Sequence, residues 1–450
     1  MLDNFGLKDT IVALSTPVGA GGIGIVRLSG ENAIKIADQL FLSKGGKKPS
    51  AFNKRELVLG EFKAENVADT ALCVVFNHNS FTGEETVEFQ CHGGVKLTNK
   101  VIEACIAHGA RLAKNGEFSL RAFLNGKMSL CEAEGMIGLI NATSDAEIKA
   151  NKTIADGGLT KKVADFQNRV VDLISEVEVS FDYPEEDIEY IQKDKLQQGL
   201  KKLIEEIEQL SSTYKSGAII SSGINACLIG KPNVGKSSLL NALLNKDKAI
   251  VTDIAGTTRD VIEDAFEVNG IKVNILDTAG IRNTENVVEL LGVKKSIDLI
   301  NKADVVLFIV DSSRAIDADD AKILSMLDGK KYLTIYNKVD KFTKERKKDG
   351  IYTSCVTGEG IEKIKQAIYN LVVAGAVSGD GLIITSNRHF DALNRAKESL
   401  KRAYEGIKNT TLDALSVDLN EAYGCLGEIT GNTSNEAILD SVFSKFCLGK

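Results

Sequence analysis

The chain of 450 residues carries 43% hydrophobic and 26% charged residues, no Trp and only 4 Pro, the composition of a folded protein with room for about three cores. Its formal charge of −7 and pI near 5.5 set the whole-molecule field against a phosphate backbone, so contact with nucleic acid has to use a local patch or a partner's surface. No apolar run approaches the roughly 18 residues of a membrane span, the start Met1-Leu2-Asp3-Asn4 lacks a signal pattern, and the 8 Cys and 4 His show neither CxxC nor zinc spacing; a cytoplasmic protein with reduced thiols is expected.

In chain order, residues 1 to about 118 mix β-branched runs (Ile11–Leu14, Ile23–Leu28, Ala71–Phe76) with Gly-rich turns and two helix-like stretches, which predicts an N-terminal α+β domain. "GAGGIG" (Gly19–Gly24) satisfies the dinucleotide fingerprint by letter, but it leads into the alternating "IGIVRL" rather than a helix; a turn between two strands is predicted, with Arg27 projecting from the second. His92 beside Cys91 is not a catalytic pair, since neighbours on a strand face opposite ways. From 119 to 216 a helical domain is predicted: Val163, Phe166, Val170, Val171, Ile174 and Val177 recur at helical steps, as do Leu196, Leu200, Leu203, Ile204, Ile207 and Leu210. Between these stripes "DYPEEDIEY" (Asp182–Tyr190) reads as an exposed turn and helix start. From 217 to 378 apolar runs (Ile224–Ile229, Ile271–Leu276, Val305–Val310, Tyr332–Tyr336) alternate with helices, the pattern of a doubly wound parallel sheet. From 379 to 450 the helical period returns with Leu393, Ala396, Leu400, Ala403, Tyr404 and Ile407, so the α/β unit is expected to be inserted into the helical domain. The basic runs Lys44–Lys48 and Lys344–Lys348 read as solvated loops.

"GKPNVGKS" (Gly230–Ser237) fits G-x-x-x-x-G-K-S between a strand and a helix. Its backbone N–H groups would form an anion nest over Asn233, Val234, Gly235, Lys236, Ser237 and Ser238, with Lys236 on the terminal phosphates as a catalytic cation and the Ser237 hydroxyl on Mg²⁺. "DTAG" (Asp277, Thr278, Ala279, Gly280) supplies a second phosphate-side turn, and "NKVD" places Asp340 to accept from guanine N1–H and the exocyclic amine, with Asn337 and Lys338 shaping the pocket and Ser354, Cys355 and Val356 closing it. In "TDIAGTTRD" the residues Thr252, Asp253, Ile254, Ala255, Gly256, Thr257 and Thr258 lie between these motifs, and Thr258 is the expected second Mg²⁺ ligand. The order of the motifs argues GTP. Position 281, where a GTPase often has a water-orienting Gln, holds Ile281, which offers no hydrogen bond, so hydrolysis has to draw on other groups. Arg259 and Arg282 read as structural or switch contacts rather than catalytic arginines.

The phosphate loop with Asn233, the "TDIAGTTRD" segment, "DTAGIR" and the terminal "FCLGK" together resemble the MnmE (TrmE) family of tRNA-modification GTPases over essentially the whole chain. That resemblance implies a multidomain α/β fold: an N-terminal folate-binding and dimerisation domain, a helical domain and an inserted Ras-like G domain. It implies K⁺ in place of an arginine finger, held by Asn233, Thr252, Ile254 and Thr257 when two G domains of a homodimer meet, and Glu289 of "ELLG" as the group that orients water; spacing alone makes Glu289 a plain exposed helix residue. Leu290 stands where a charged residue is the commoner pattern. For the N-terminal motifs "STPVGAGGIGIVRLSG", "SFTGEETVEFQCHGG" and "FSLRAFLNGKMSLCEAE" the resemblance implies a tetrahydrofolate derivative (5-formyl or 5,10-methylene) bound by Arg27, Glu88, Lys127 and the terminal Lys450; without the resemblance, each reads as an exposed charge. Cys447 is either a participant in the one-carbon step or a buried thiol beside docked Phe443, Phe446 and Leu448. The implied activity is GTP hydrolysis coupled, with the flavoprotein MnmG as partner in a heterotetramer or larger assembly, to addition of an aminomethyl-type or carboxymethylaminomethyl group at C5 of a wobble uridine in tRNA. A ribosome-assembly GTPase is the alternative, but no GXXG module for RNA is legible; a membrane-recruited GTPase lacks a lipidation signal.

Overall fold

The computed structural model describes residues 9–182, 188–244, 264–276, 297–341, 349–373, 381–407 and 412–449. The segment Thr252–Thr258, the turn Asp277–Gly280, Ile281, Glu289 and Lys450 lie outside the described residues, as do the runs 344–348 and 374–380. The chain folds into two compact units.

The first unit (Met1–Ile137, Ile154–Gly199 and Ser399–Lys450) begins with β1 (Ile11–Leu14) and β2 (Gly21–Ser29), an antiparallel pair in which Ala13 faces Arg27. After α1 (Ala33–Leu40) come β3 (Phe41–Ser43), β4 (Val58–Ala64), β5 (Val67–Phe76) and β6 (Thr86–Gly93), then α2 (Val95–Ala107), β7 (Arg111–Leu112) and α3 (Glu117–Leu124). The seven strands run in the order β3-β4-β5-β6-β2-β1-β7. Alternation along them sends Val26, Leu28, Phe62, Cys73, Val75, Val87 and Phe89 into one apolar layer against α1 and α2, the half-buried pattern of an antiparallel sheet. Gly21, Gly22 and Gly24 already belong to β2, so the turn is shorter than the glycine run and a strand rather than a helix follows, which removes the dinucleotide fingerprint. On β6, Cys91 is buried and His92 exposed, as alternation requires.

The long helix α6 (Gly158–Asp182) buries Val163, Phe166, Val170, Leu173 and Val177. The stripe expected from sequence included Val171, which is 44% exposed instead. The buried set steps by three and four without interruption, and a residue one place along is turned about 100° off that line. α4 (Leu130–Asn141) and α5 (Asp145–Ala155) precede it, and α7 (Ile188–Ser212) follows. Gln167 of α6 donates to the Tyr423 carbonyl of the helix Leu412–Thr430, at 3.4 Å.

The second unit (Gly138–Thr153 and Leu200–Glu398) takes in the end of α4, most of α5, the C-terminal part of α7 and α8 (Tyr214–Ser222), and holds a six-stranded sheet. It consists of β8 (Ile224–Ile229), β9 (Asp264–Val268), β10 (Ile271–Ile275), β11 (Val305–Asp311), β12 (Tyr332–Asn337) and β13 (Ile351–Thr353), in the order β13-β12-β11-β8-β10-β9. All pairs are parallel except β9 with β10. α9 (Lys236–Leu244), α10 (Ala318–Ser325) and α11 (Ile361–Val373) connect them. β11 shows why this sheet is covered on both sides: Val305, Leu307 and Ile309 join one buried cluster, while Val306, Phe308 and Val310 join another. A strand buried on both faces has to be apolar at every position, which is why the run reads continuously. α12 (Asn387–Gly406) buries Leu393, Ala396, Leu400 and Ala403; α13 (Leu412–Thr430) and α14 (Glu436–Phe443) complete the chain.

Candidate functional site

The order reversal of the six-stranded sheet falls at β8, between β11 and β10, and the loop Gly230–Gly235 leaves the carboxyl end of β8 there, the place where open α/β sheets bind ligands. The helix that follows starts at Lys236, so Ser237 sits in its first turn with Lys236. N-terminal amides of that helix are available to an anion. Lys236 Nζ donates to the loop's own carbonyls, Gly230 O at 2.7 Å and Lys231 O at 2.8 Å, and burial pulls its pKa below the usual lysine value. A phosphate in the loop would replace those weak acceptors with formal negative charge.

Five of the six NKVD and SCVT side chains expected in the base pocket tie that pocket to the phosphate loop or to each other. Asn337, buried, donates from Nδ2 to Val234 O at 3.0 Å and accepts from Cys355 Sγ at 3.4 Å. Lys338, with φ 67°, donates from Nζ to Asn233 O at 2.6 Å and to Asp311 at 2.7 Å. Ser354 Oγ donates to Oδ1 of the exposed Asp340 carboxylate at 2.7 Å. Val356 is 84% exposed at the rim, and its N–H donates to Ser354 Oγ at 3.3 Å. Gly235, at φ 97°, lies so close to Asn337 that a Cβ there would meet Asn337 Nδ2 at 2.2 Å. The sequence does not reveal one further tie: Lys231 of the phosphate loop pairs with Asp317 at 2.7 Å, the residue that caps α10. No spacing rule links residues 231 and 317, because only the parallel neighbours β8 and β11 bring their loops together.

In the first unit Arg27 and Glu88 face each other across β2 and β6, and Arg27 Nε donates to Glu88 Oε1 at 2.7 Å. The guanidinium carbon lies 5.8 Å from the Phe81 ring centroid and 5.7 Å from that of Phe118, within cation–π range. Those two rings stand in the quoted N-terminal motifs, but periodicity carries no sign that they flank a cation. Lys127 is exposed beyond α3, and its Cε would lie 2.9 Å from a Cβ at Gly83. The loop Ser80–Glu84 thus touches both Arg27 and Lys127. The chain end docks against the same unit: Leu448 bridges Asn115, and Ser15 Oγ donates to Gly449 O at 3.2 Å. Gly449 has φ 95°, and a Cβ there would meet Leu14 O at 2.0 Å, so the tail approaches β1 as only glycine allows. Phe443 and Phe446 are buried while Cys447 is exposed, which removes the reading of Cys447 as a buried thiol. Among the described residues no cluster of His, Cys, Asp and Glu is arranged to hold a metal, and no helix is long and apolar enough to cross a membrane.

Two family models match the chain: the N-terminus of the GTP-binding protein TrmE over residues 10–127 and the MnmE helical domain over residues 130–447. A protein of Acetivibrio thermocellus called tRNA modification GTPase MnmE is 42% identical over 98% of this chain and 99% of its own length. Proteins with the same name from Clostridioides difficile and Carboxydothermus hydrogenoformans are 40% and 41% identical, each over 99% of this chain and 100% of their own. Among solved structures, the G domain of the T. maritima FeoB iron transporter is 26% identical over 33% of this chain and 98% of that one, with a TM-score of 0.25.

Proposed function

Since this chain belongs to the MnmE family of tRNA modification GTPases, we propose that its GTP hydrolysis depends on K⁺ and serves the attachment of an aminomethyl-type or carboxymethylaminomethyl group to a wobble uridine, with a reduced folate as carbon source. Family membership sets the ribosome-assembly alternative aside.

The observation that carries the K⁺ reading is Asn233. It stands exposed in a left-handed backbone conformation, φ 62°, with its carbonyl held by Lys338, so its side-chain amide is left as an oxygen ligand at the edge of the phosphate loop. Thr252, Ile254 and Thr257 complete the proposed ion site; Ser237 and Thr258 take Mg²⁺; Glu289 orders the water in place of the glutamine that Ile281 does not provide. K⁺, when bound, supplies the positive charge an arginine finger otherwise brings to the phosphates, a contribution of about 10³ to 10⁵ in rate. Lys236 exchanges its loop carbonyls for phosphate oxygens, and Asp340 reads the guanine edge.

Arg27, Glu88 and Lys127 fit a reduced folate by chemistry: one acid and one cation on neighbouring strands match the donor and acceptor edge of a pterin, the rings of Phe81 and Phe118 fix the cation, and Lys127 and Lys450 suit the glutamate carboxylates. The folate supplies a one-carbon unit when bound, and Cys447 stands exposed on the docked tail. The protein acts as a cytoplasmic homodimer that binds tRNA, with an MnmG-type flavoprotein in a heterotetramer or larger assembly. The domain limits proposed are 1–118 for the folate and dimerisation domain, 119–216 and 379–450 for the helical domain, and 217–378 for the G domain.

The test is a steady-state GTPase assay in KCl and in NaCl at matched ionic strength, with the Glu289→Ala variant beside the parent. Turnover is expected to be fast only in K⁺, and Glu289→Ala is expected to bind GTP but lose most hydrolysis. Equal rates in the two salts, or a fully active variant, would refute it.

A further inference from the structure

Behind the Arg27 pair lies a buried group of charges that the reading above does not use. Arg121 of α3 is completely buried. It donates to Asp9 O at 2.8 Å, Asp9 Oδ1 at 2.8 Å, Glu117 Oε1 at 3.1 Å and Glu84 Oε2 at 3.2 Å. Arg111 adds forked bonds to Asp9 and Glu117, the shortest of them 2.6 Å.

Two of these acids lead outward to the two walls of the proposed folate site. Glu84 ends the loop Ser80–Glu84; it accepts from Ser29 Oγ at 2.7 Å, and Ser29 lies two residues along β2 from Arg27. Within that loop Phe81 faces the Arg27 guanidinium and Gly83 faces Lys127. Thr82 is pinned between Ser29 Oγ at 2.7 Å and Asn125, whose Nδ2 donates to its carbonyl at 2.7 Å. Glu117 holds the other wall: it accepts from Lys114 N at 2.7 Å, closing the turn 114–117. The tail docks on this turn, with Leu448 bridging Asn115 and the Phe443 carbonyl 2.2 Å from where a Gly116 Cβ would be.

A buried ion group is a weak source of stability, because desolvation offsets its attraction. Arg121 Nε is moreover buried without a hydrogen-bond acceptor among the described residues, which costs further. What the group does provide is direction: a planar guanidinium with fixed donors sets the angle between the acids it holds. We propose, resting on the folate reading above, that Arg121 and Glu84 are positioning residues for the one-carbon donor site, Glu84 fixing the loop that braces Arg27 and Lys127, and Arg121 setting that loop relative to the turn on which the tail carrying Cys447 docks.

The test uses the full chain, calorimetric titration with 5-formyltetrahydrofolate, GDP titration as a control, and hydrogen exchange. Glu84→Ala is expected to weaken folate binding tenfold or more, leave GDP binding unchanged, and speed exchange within residues 80–84 while the strands of the sheet stay protected. Glu84→Gln keeps an acceptor for both Ser29 and Arg121 and is expected to recover affinity to within about threefold of the parent. Ser29→Ala leaves every charge pair in place and is expected to weaken folate several-fold, which keeps the idea open to refutation should Glu84→Ala fail to fold. Parent-like folate affinity in Glu84→Ala or in Ser29→Ala would overturn the positioning role. A parent protein that does not bind the folate would instead overturn the folate reading itself.

Discussion

Replacing Gly235 with alanine tests whether the phosphate loop and the guanine pocket act as one body. The added Cβ would stand 2.2 Å from Asn337 Nδ2, against an ordinary contact of about 3.5 Å, so the amide has to retreat by on the order of 1 Å. Asn337 is buried and its Nδ2 donates to Val234 O at 3.0 Å, so retreat breaks a buried hydrogen bond, at about 1 to 3 kcal/mol. The left-handed backbone at φ 97° adds about 1 to 2 kcal/mol for any residue with a Cβ. Together these make about 2 to 5 kcal/mol, a ceiling of roughly 30-fold to several thousand-fold on affinity. The nucleotide-free loop can relax part of that strain and the nucleotide-bound loop cannot, so GDP is expected to bind at least about tenfold more weakly. Calorimetric titration with GDP measures it. Gly329→Ala is the control: φ is 74° there but nothing lies within 4 Å, so only the backbone cost applies and GDP affinity should not change. A Gly235→Ala protein that binds GDP like its parent would show that Asn337 does not couple base pocket to phosphate loop.

Four further outcomes are expected. Asp340→Asn should weaken GTP binding sharply and shift preference toward xanthosine nucleotides, measured by competition; unchanged GTP affinity would remove Asp340 from the base pocket. Asn233→Ala should lower K⁺ stimulation of hydrolysis while leaving GDP affinity near that of the parent, read from KCl titrations of the rate. Because burial lowers the Lys236 pKa and phosphates would raise it again, GDP binding at about pH 9 should take up protons, visible as a dependence of calorimetric heat on buffer ionisation enthalpy. Asp9 is held below 3.8, chiefly by its hydrogen bond from Arg111, and Glu117 below 4.5, where burial pushes it up but the bonds from Arg111 and Lys114 N outweigh that. Both are depressed carboxylates, so their stabilisation is complete above the unfolded values and drains away as pH falls through the folded ones; melting temperature should fall below about pH 4.5, and less steeply in Glu117→Gln.

Composition, period and motif order were enough to read an N-terminal α+β region, amphipathic helices and a doubly wound nucleotide-binding sheet, because each is written in local terms. A parallel strand such as Val305–Asp311 is apolar throughout since both its faces are covered, and a phosphate loop is a run of consecutive residues whose own amides make the site. The strand-to-helix loop before Lys236 and Ser237, and the later strand that ends at Asn337, were legible for that reason. Val171 shows the limit of the same reasoning: an apolar residue one step beside the stripe belongs to the solvent face, and only the packed helix decides which line is buried. The Arg27–Glu88 pair depends on the register of β2 against β6, across 61 positions of sequence, and the exposure of Cys447 depends on a tail that folds back on Asn115. The Arg121 group joins residues 9, 84, 117 and 121. No periodicity links such positions, because a long-range ion group is selected by where three separate elements meet, and that meeting exists only once the chain has folded.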